Sequence, residues 1–365
     1  MNKSTYPVKI NKSLLPLSCL YGLGVRFRNL LFDWKLIKQK SYKLPVICIG
    51  NLTVGGTGKT PHTEYLLRLL ADQYHTAVLS RGYKRKTKGF LLASDSSTAL
   101  DIGDEPYQIQ RKFPRVRVAV DANRQRGMEH LLQLNDPQVE AVLLDDAYQH
   151  RYVKAGMNIL LTDFYRLFCD DKLLPAGRLR EPKSGKDRAH IVIVTKCPDD
   201  VKPIDFNIIT KRLNLYPFQD LFFSRFKYGD LEPVFASSTS APLALHKLAQ
   251  LDSILVVTGI AKPSYLKAEL SKHNEQIDCL TFKDHYQFTE QDIQNISKRF
   301  ESLEGADKIL ITTEKDAVRL LDMDIPEALK QHIYALPIQV EILQDKQTVF
   351  NQKILDYVTK NTRNS

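Results

Sequence analysis

The chain of 365 residues is poor in cysteine, with five, and in tryptophan, with one. Cys19, Cys48, Cys169, Cys197 and Cys279 are odd in number and widely spaced, and most sit inside apolar runs. That excludes a disulfide framework and a cysteine-based metal site, and points to reduced packing residues of a cytosolic chain. Low-complexity tracts and internal repeats are missing, which excludes solenoids and disordered linkers. So is any apolar run long enough to cross a bilayer: the longest uncharged N-terminal stretch, "SLLPLSCLYGLGV", covers thirteen residues from Ser13 to Val25, against the roughly 20 that a spanning helix needs. No A-x-A-like cleavage site follows it, which argues against a signal peptide. Acidic residues fall short of basic ones, 42 against 52, for a net charge of +10. The excess favours anionic partners without choosing among nucleic acid, phosphorylated substrates and a membrane surface.

Hydrophobic residues at 43% and charged residues at 26% describe a chain that folds and buries a core. Its length predicts one large or two unequal domains. Beyond the N-terminal stretch, Leu20, Leu23, Phe27, Leu30, Trp34 and Ile37 recur in steps of three and four, with Arg26, Arg28, Lys35 and Lys38 between them. This is one face of a helix. Two roles fit it: a helix lying in the membrane interface, or an amphipathic helix packed on the protein's own core.

From Pro45 to about Val194 short apolar runs alternate with helical patterns: "PVICIG", "TAVLSRGY", "VRVAV", "VEAVLLDDA", "NILLTD" and "IVIVTK". These predict strands of a largely parallel α/β sheet whose polar C-terminal ends face a ligand. Between about Asp200 and Pro242 prolines and aromatics loosen the pattern, as in a linker or a short hairpin. Alternation resumes with "SILVVTGI", "CLTFKDH" and "KILITTEK", which predict a smaller C-terminal α/β domain. The resulting division is residues 1–40 for the N-terminal helix region, 41–225 for the core and 226–365 for the C-terminal domain.

The segment "LTVGGTGKTP" follows the first predicted strand and opens a helix, the order in which backbone N–H groups and a helix N-terminus converge on a polyphosphate. Thr53, Val54, Gly55, Gly56, Thr57, Gly58, Lys59 and Thr60 form the expected cradle, with Lys59 reaching the outer phosphates and Thr60 available to Mg²⁺. Thr53 stands where the usual pattern has its first glycine. A carboxylate for Mg²⁺ is expected at a neighbouring strand end, and Asp145 and Asp146 close the run "VEAVLLDD". Either of the two could hold the ion. Gln149 and His150 follow and could orient water or substrate.

Two nucleotide-switch classes lack their distinguishing residue. A GTPase N-K-x-D motif fails at Pro198 in "IVIVTKCPDD", and the lysine that precedes the paired glycines of partition-type ATPases is Val54 here. A kinase needs a base and cations beside the transferred phosphoryl group. Asp104 and Glu105 in "DIGDEPYQIQ", Asp284 and His285 in "FKDHYQFTEQD", and Arg124, Arg126, Arg178 and Arg180 in "DANRQRG" and "LLPAGRLREP" are the candidates. Each has a plainer role open to it: a helix start for the acidic pair, a satisfied histidine, or a solvated basic face.

Taken together, "GNLTVGGTGKTP", "SRGYKRK", "GDEPYQI", "DDAYQHR", "LLPAGRLREP", "VTGIAKP", "FKDHYQFT" and "TTEKDA" occur in an order that resembles the tetraacyldisaccharide 4′-kinases, the lipid A 4′-kinases of Gram-negative bacteria. The resemblance implies a P-loop NTPase-like α/β fold with two domains. It implies transfer of the ATP γ-phosphate to the 4′-hydroxyl of an acylated glucosamine disaccharide 1-phosphate, giving lipid IVA, with ATP and Mg²⁺ as cofactors. The expected location is the cytoplasmic face of the inner membrane, with anionic lipids as partners and no nucleic acid. Carried over by motif, Asp104 is the catalytic aspartate, His285 its dyad partner, Asp145 and Asp146 the Walker B pair with Glu105 as neighbouring acid, and Arg124, Gln149, His150, Arg180 and Glu181 substrate-site residues. Other classes remain open: a membrane-associated P-loop ATPase without a lipid acceptor, and a non-catalytic binding protein of the membrane surface.

Overall fold

The apolar runs fold as strands because most of their residues are buried, as central strands of a parallel sheet must be. The structure is a computed structural model that describes residues 8, 10–235, 241–260, 263–284 and 286–362. Its strands are β1 (Val46–Asn51), β2 (Thr76–Ser80), β3 (Leu91–Leu92), β4 (Arg117–Val120), β5 (Ala141–Asp145), β6 (Met157–Asp163), β7 (Ile191–Thr195), β8 (Asp220–Tyr228), β9 (Glu232–Pro233), β10 (Ser253–Thr258), β11 (Ile277–Thr281), β12 (Lys308–Thr313), β13 (Ile333–Leu336) and β14 (Ile338–Ile342). The α-helices are α1 (Leu15–Asp33), α2 (Lys59–Leu70), α3 (Ala99–Ile102), α4 (Asp104–Lys112), α5 (Arg124–Leu132), α6 (Pro203–Leu213), α7 (Pro263–Leu270), α8 (Glu290–Glu301), α9 (Glu314–Leu320), α10 (Glu327–Lys330) and α11 (Gln347–Thr362).

Nine strands form the main sheet in the order β14-β8-β7-β6-β1-β5-β2-β4-β3. The seven inner strands are parallel, and β3 and β14 close the edges antiparallel. The chain leaves β1 for β2 on one side and reaches β6 on the other. The strand order therefore reverses around β1, which puts the ligand crevice at its C-terminal end. A second sheet runs β11-β10-β12-β13-β9, parallel except for β9. Each sheet is covered on both faces by apolar clusters.

The division differs from the sequence reading in two places. The stretch from Asp200 to Pro242, expected as a linker or hairpin, contains α6 and the nine-residue strand β8 of the main sheet. The expected boundary at 225/226 cuts that strand, and the C-terminal residues do not stay with the second sheet. Beyond β13 the chain returns: β14 pairs with β8, and α11 buries Phe350, Ile354 and Val358 against the main sheet.

The apolar stripe of α1 faces outward. Leu20, Leu23 and Phe27, and Trp34 just beyond the helix end, are each between 62% and 66% exposed. The opposite face docks: the Ser18 hydroxyl donates to the Leu173 carbonyl (3.0 Å) and accepts from the Ala176 N–H (2.9 Å), and Phe32 is buried beside Tyr152. Packing of the stripe onto the protein's own core is thereby overturned for these four residues. Among the described residues no helix is long and apolar enough to cross a membrane.

Since α11 completes the main core, Phe350→Ala is expected to cost about 3–5 kcal/mol of stability, whereas Val349→Ala, at a half-exposed neighbour, leaves it nearly unchanged. Urea unfolding midpoints of the two variants check this; equal midpoints would show that α11 is not part of the core.

Candidate active site

The loop between β1 and α2 is tied down along its length. Asn51 Nδ2 donates to Thr57 Oγ1 (2.7 Å), Thr195 Oγ1 donates to the Thr57 carbonyl (2.8 Å), and the Lys196 ammonium bonds the Gly56 carbonyl. Gly58 precedes α2 with φ 87°, a left-handed conformation that only glycine adopts at little cost, and an added Cβ would lie 2.6 Å from the Phe226 ring. Thr53 lies outside the turn. It forms a β-bridge to Leu179, while the Val54 N–H donates to the Arg178 carbonyl (2.8 Å) and the Arg180 N–H to the Leu52 carbonyl (2.7 Å). The backbone there is extended, so no glycine is required, and the tight geometry starts at Gly55 (φ 108°).

His62 escaped the sequence reading. It is buried, and burial pushes its pKa down to about 4, so the ring is neutral. Nδ1 lies 2.7 Å from the Gly58 carbonyl, which assigns the proton to Nδ1, and Nε2 is 3.0 Å from Ser224 Oγ. The ring thus braces the last turn of the loop.

The two aspartates at the end of β5 have opposite surroundings. Asp145 is 2% exposed and accepts from Thr63 Oγ1 and Ser80 Oγ, each at 3.3 Å. Burial, together with the charges of Glu105 and Asp146, pushes its carboxyl up to about 7, against the pull of Lys59 and Arg124. Asp146 takes a left-handed φ of 45°, which turns it out of the strand. Burial works against its charge too, but Lys59 at 3.7 Å and Arg180 at 3.1 Å hold the carboxyl below the usual range. Among the described residues no group of three His, Cys, Asp or Glu side chains forms a metal cluster by itself. Thr60, Asp145, Asp146 and Glu105 nevertheless suit a hard cation whose remaining ligands come from phosphate and water: the donors are oxygens, and a nearby cation would stabilise the ionised Asp145 carboxylate.

Asp104 opens α4. Gly103 before it has φ 92°, and a Cβ there would lie 3.0 Å from the Tyr83 carbonyl, so the loop after β2 packs directly against this helix start. Asp104 Oδ2 is 2.6 Å from Arg319 Nη2 on α9, which reaches over from the second sheet. His285 lies outside the described residues. Its neighbour Asp284 pairs with Lys315 at 3.4 Å, and Gly259 faces Lys283 and Tyr286.

The other expected site residues separate into two groups. Arg180, Gln149 and Asp146 meet: Arg180 Nη1 is 3.4 Å from Gln149 Oε1, and Gln149 Nε2 donates to the Asn51 carbonyl at 2.7 Å. Arg124, Glu181 and His150 are turned inward. Arg124 is 2% exposed and donates to the carbonyls of Asp121 (2.6 Å) and Asp145 (3.3 Å), so it fixes strand ends and offers no exposed guanidinium to a substrate. Glu181 is 1% exposed and pairs with Arg188 at 2.7 Å. Burial and the Arg124 charge push His150 down to about 4. Beside Gly103 a cavity of about 370 Å³ is lined by Arg81, Lys84, Arg85 and Lys88, all within "SRGYKRKTKG".

The raised Asp145 pKa fixes the sign of a pH effect. The native state keeps a proton that the unfolded chain loses near 3.8, so this group's contribution to stability is present below that value and lost as pH rises through about 7. Asp145→Asn is therefore expected to gain in unfolding midpoint relative to wild type as pH goes from about 4 to about 8, measured by denaturant titration without nucleotide or divalent cation. A difference independent of pH would contradict the assignment.

With this geometry in place, similarity to known proteins is informative. A profile of the family described as "Tetraacyldisaccharide-1-P 4'-kinase" matches residues 10–359. Tetraacyldisaccharide 4'-kinases of Bacteroides thetaiotaomicron and Porphyromonas gingivalis are 60% and 45% identical, covering 98% and 96% of this chain and 96% and 98% of theirs. The crystal structure of the "apo" form LpxK from Aquifex aeolicus in complex with ATP superimposes with a TM-score of 0.74 at 28% identity, covering 95% of this chain and 99% of that one. By sequence along nearly its whole length and by fold, the chain belongs to the tetraacyldisaccharide-1-P 4'-kinase family.

Proposed function

We propose that the protein transfers the γ-phosphate of ATP to the 4′-hydroxyl of tetraacyldisaccharide 1-phosphate, forming lipid IVA in lipid A biosynthesis. The observation that carries this reading is one crevice holding two kinds of group. The phosphate loop with Lys59 lies on one side, and the start of α4 with Asp104 and Glu105 lies on the other. They are close enough that the charge of Glu105 acts on the buried Asp145. An ATPase without an acceptor gives no use to a second acid, Asp104, next to the one whose charge reaches Asp145.

In this reading the backbone N–H groups of residues 55–60 and the Lys59 ammonium hold the β- and γ-phosphates. Thr60, with Asp145, Asp146 and Glu105 nearby, would hold Mg²⁺, which would supply positive charge against that developing on the phosphate oxygens. Asp104 accepts the proton of the 4′-hydroxyl as its oxygen bonds to the γ-phosphorus and the bond to the β-phosphate oxygen breaks, leaving ADP. His285 would serve as partner to Asp104. Arg180 and Gln149 border the phosphate side, and the cationic cavity of Arg81, Lys84, Arg85 and Lys88 suits the phosphate that the acceptor already carries. The outward apolar face of α1, with Arg26 and Lys35 among its neighbours, is suited to anionic lipid at the cytoplasmic face of the inner membrane, where such an acceptor is embedded.

Thin-layer chromatography with γ-labelled ATP and the disaccharide 1-phosphate in mixed micelles tests the reaction. Label is expected in the lipid, and Lys59→Ala and Asp104→Ala are each expected to lower turnover at least about a hundredfold. Unlabelled lipid with a folded, Mg²⁺-supplied wild type would sink the kinase reading, and near-normal turnover of Asp104→Ala would remove its role.

Trp34→Glu changes a residue that is 64% exposed, so the variant is expected to fold. It should co-sediment with anionic vesicles at least about tenfold more weakly than wild type; equal co-sedimentation would rule out α1 as the anchor.

A further inference from the structure

Arg319 is 215 residues from Asp104 in sequence, on the helix that follows β12 of the other sheet, and its guanidinium is divided between two carboxylates. Nη2 lies 2.6 Å from Asp104 Oδ2, and Nη1 lies 2.7 Å from Asp316 Oδ1. The side chain is only 6% exposed, and Asp316 is fully buried. Asp316 is itself immobilised through its other oxygen, Oδ2, which accepts from the Gly259 N–H (2.9 Å), Thr258 Oγ1 (3.1 Å) and Thr313 Oγ1 (2.8 Å). The ends of β10 and β12 thus hold Asp316, Asp316 holds Arg319, and Arg319 holds Asp104.

A buried ion pair of this kind needs a reason, because removing charges from water costs nearly as much as their attraction returns. Joining the two sheets does not require it here, since α4 and α9 also meet through Lys112, which pairs with Glu314 on α9. Charge-assisted hydrogen bonds with both ends fixed do confer orientation. A carboxylate that is to accept a proton must present the correct oxygen to the hydroxyl. Asp104 stands at the first position of α4, and the Arg319 fork meets one particular oxygen of its carboxylate, Oδ2.

We propose that Arg319 is a positioning residue for phosphoryl transfer: anchored on Asp316, it orients the Asp104 carboxylate toward the acceptor hydroxyl and so makes that orientation depend on the second sheet. The inference rests on the role given to Asp104 above. Arg319 does not touch ATP or acceptor in this scheme, so its loss acts on kcat and leaves both KM values in place. A lysine at 319 keeps the charge but supplies one ammonium in place of a fork, and so restores only part of the effect.

The test compares Arg319→Gln, Arg319→Lys and Asp104→Asn with wild type in the labelled-lipid assay, with folding checked by thermal melts. For Arg319→Gln we expect kcat to fall about 30-fold with KM for ATP and for lipid within about twofold of wild type. For Arg319→Lys, kcat should recover to within about fivefold of wild type. The proposal is overturned if Arg319→Gln keeps kcat within about threefold of wild type while Asp104→Asn is inactive, or if both Arg319 variants lose kcat equally with a raised KM for ATP. The latter is what a misplaced second sheet would produce. Should Arg319→Gln not fold, Arg319→Lys decides alone. A severalfold lower kcat at unchanged KM supports the proposal, and a wild-type kcat or a raised KM overturns it. Asp104→Asn at the wild-type rate would overturn the role of Asp104 itself, a result distinct from failure at Arg319.

Discussion

Helix α4 is held between two ion pairs, and the geometry of the crevice depends on that clamp. At its first turn Asp104 meets Arg319, and at its last turn Lys112 lies between Glu64 of α2, at 2.7 Å, and Glu314 of α9. Burial opposes the charge on Lys112, but the two carboxylates hold its pKa above the ordinary lysine value, and burial with the Glu64 charge pushes Glu314 up. Glu64 is 1% exposed and has further donors in Gln108, at 2.7 Å, and Arg68, at 3.3 Å. Such an arrangement adds little net stability compared with an apolar substitute. It does define one relative position of three helices: the phosphate-loop helix, the helix that opens with Asp104, and the helix of the second sheet that carries Arg319.

Within that frame, charge at the nucleotide side is arranged by small backbone changes. Asp145 and Asp146 are adjacent and chemically identical, but strand pleating keeps Asp145 inside while a left-handed φ turns Asp146 toward Lys59 and Arg180. One carboxyl is raised to about 7 and the other is lowered. A site with one firmly ionised acid and one that ionises when a cation arrives is suited to binding metal together with nucleotide. Arg124, read from its motif as a substrate residue, instead supports this pair from beneath, which explains why an arginine is buried there at all.

How much was legible follows from how local each signal is. Strands such as "PVICIG" and "IVIVTK" are short apolar runs bounded by polar residues, and β1 and β7 fall where they predict. The glycine loop and the α4 start are equally local. β8 was obscured by aromatics that alternate weakly because only one part of the strand is buried. The return of β14 and α11 to the main sheet leaves no trace in composition, since pairing with β8 is decided more than 100 residues away. Thr53 stands where the usual pattern has a glycine, and only the fold shows why none is needed: the backbone there is extended and paired to Leu179. Arg319 belongs with the non-local cases, because an arginine inside a helix carries no mark of the carboxylate it will meet across the interface.

The segment that pairs with Thr53 also links the outside of the molecule to its chemistry. Residues 173–180 receive α1 on one side, through Ser18 at Leu173 and Ala176 and through the Tyr21 hydroxyl, which donates to the Arg180 carbonyl at 2.8 Å. On the other side they bond Leu52 and Val54 at the start of the phosphate loop, and the Arg180 side chain reaches Asp146. Arg28 of α1 adds a hydrogen bond to the Gln149 carbonyl at 3.0 Å. An interfacial helix joined to its protein by a flexible linker would set only the distance to the membrane. Here the helix and the phosphate loop share hydrogen-bonded neighbours, so if α1 lies in the interface as proposed, the membrane plane and the direction of phosphoryl transfer are fixed relative to one another. For an acceptor whose acyl chains remain in lipid, that fixed angle allows only the sugar head to rise into the crevice and limits the ordering cost of each encounter.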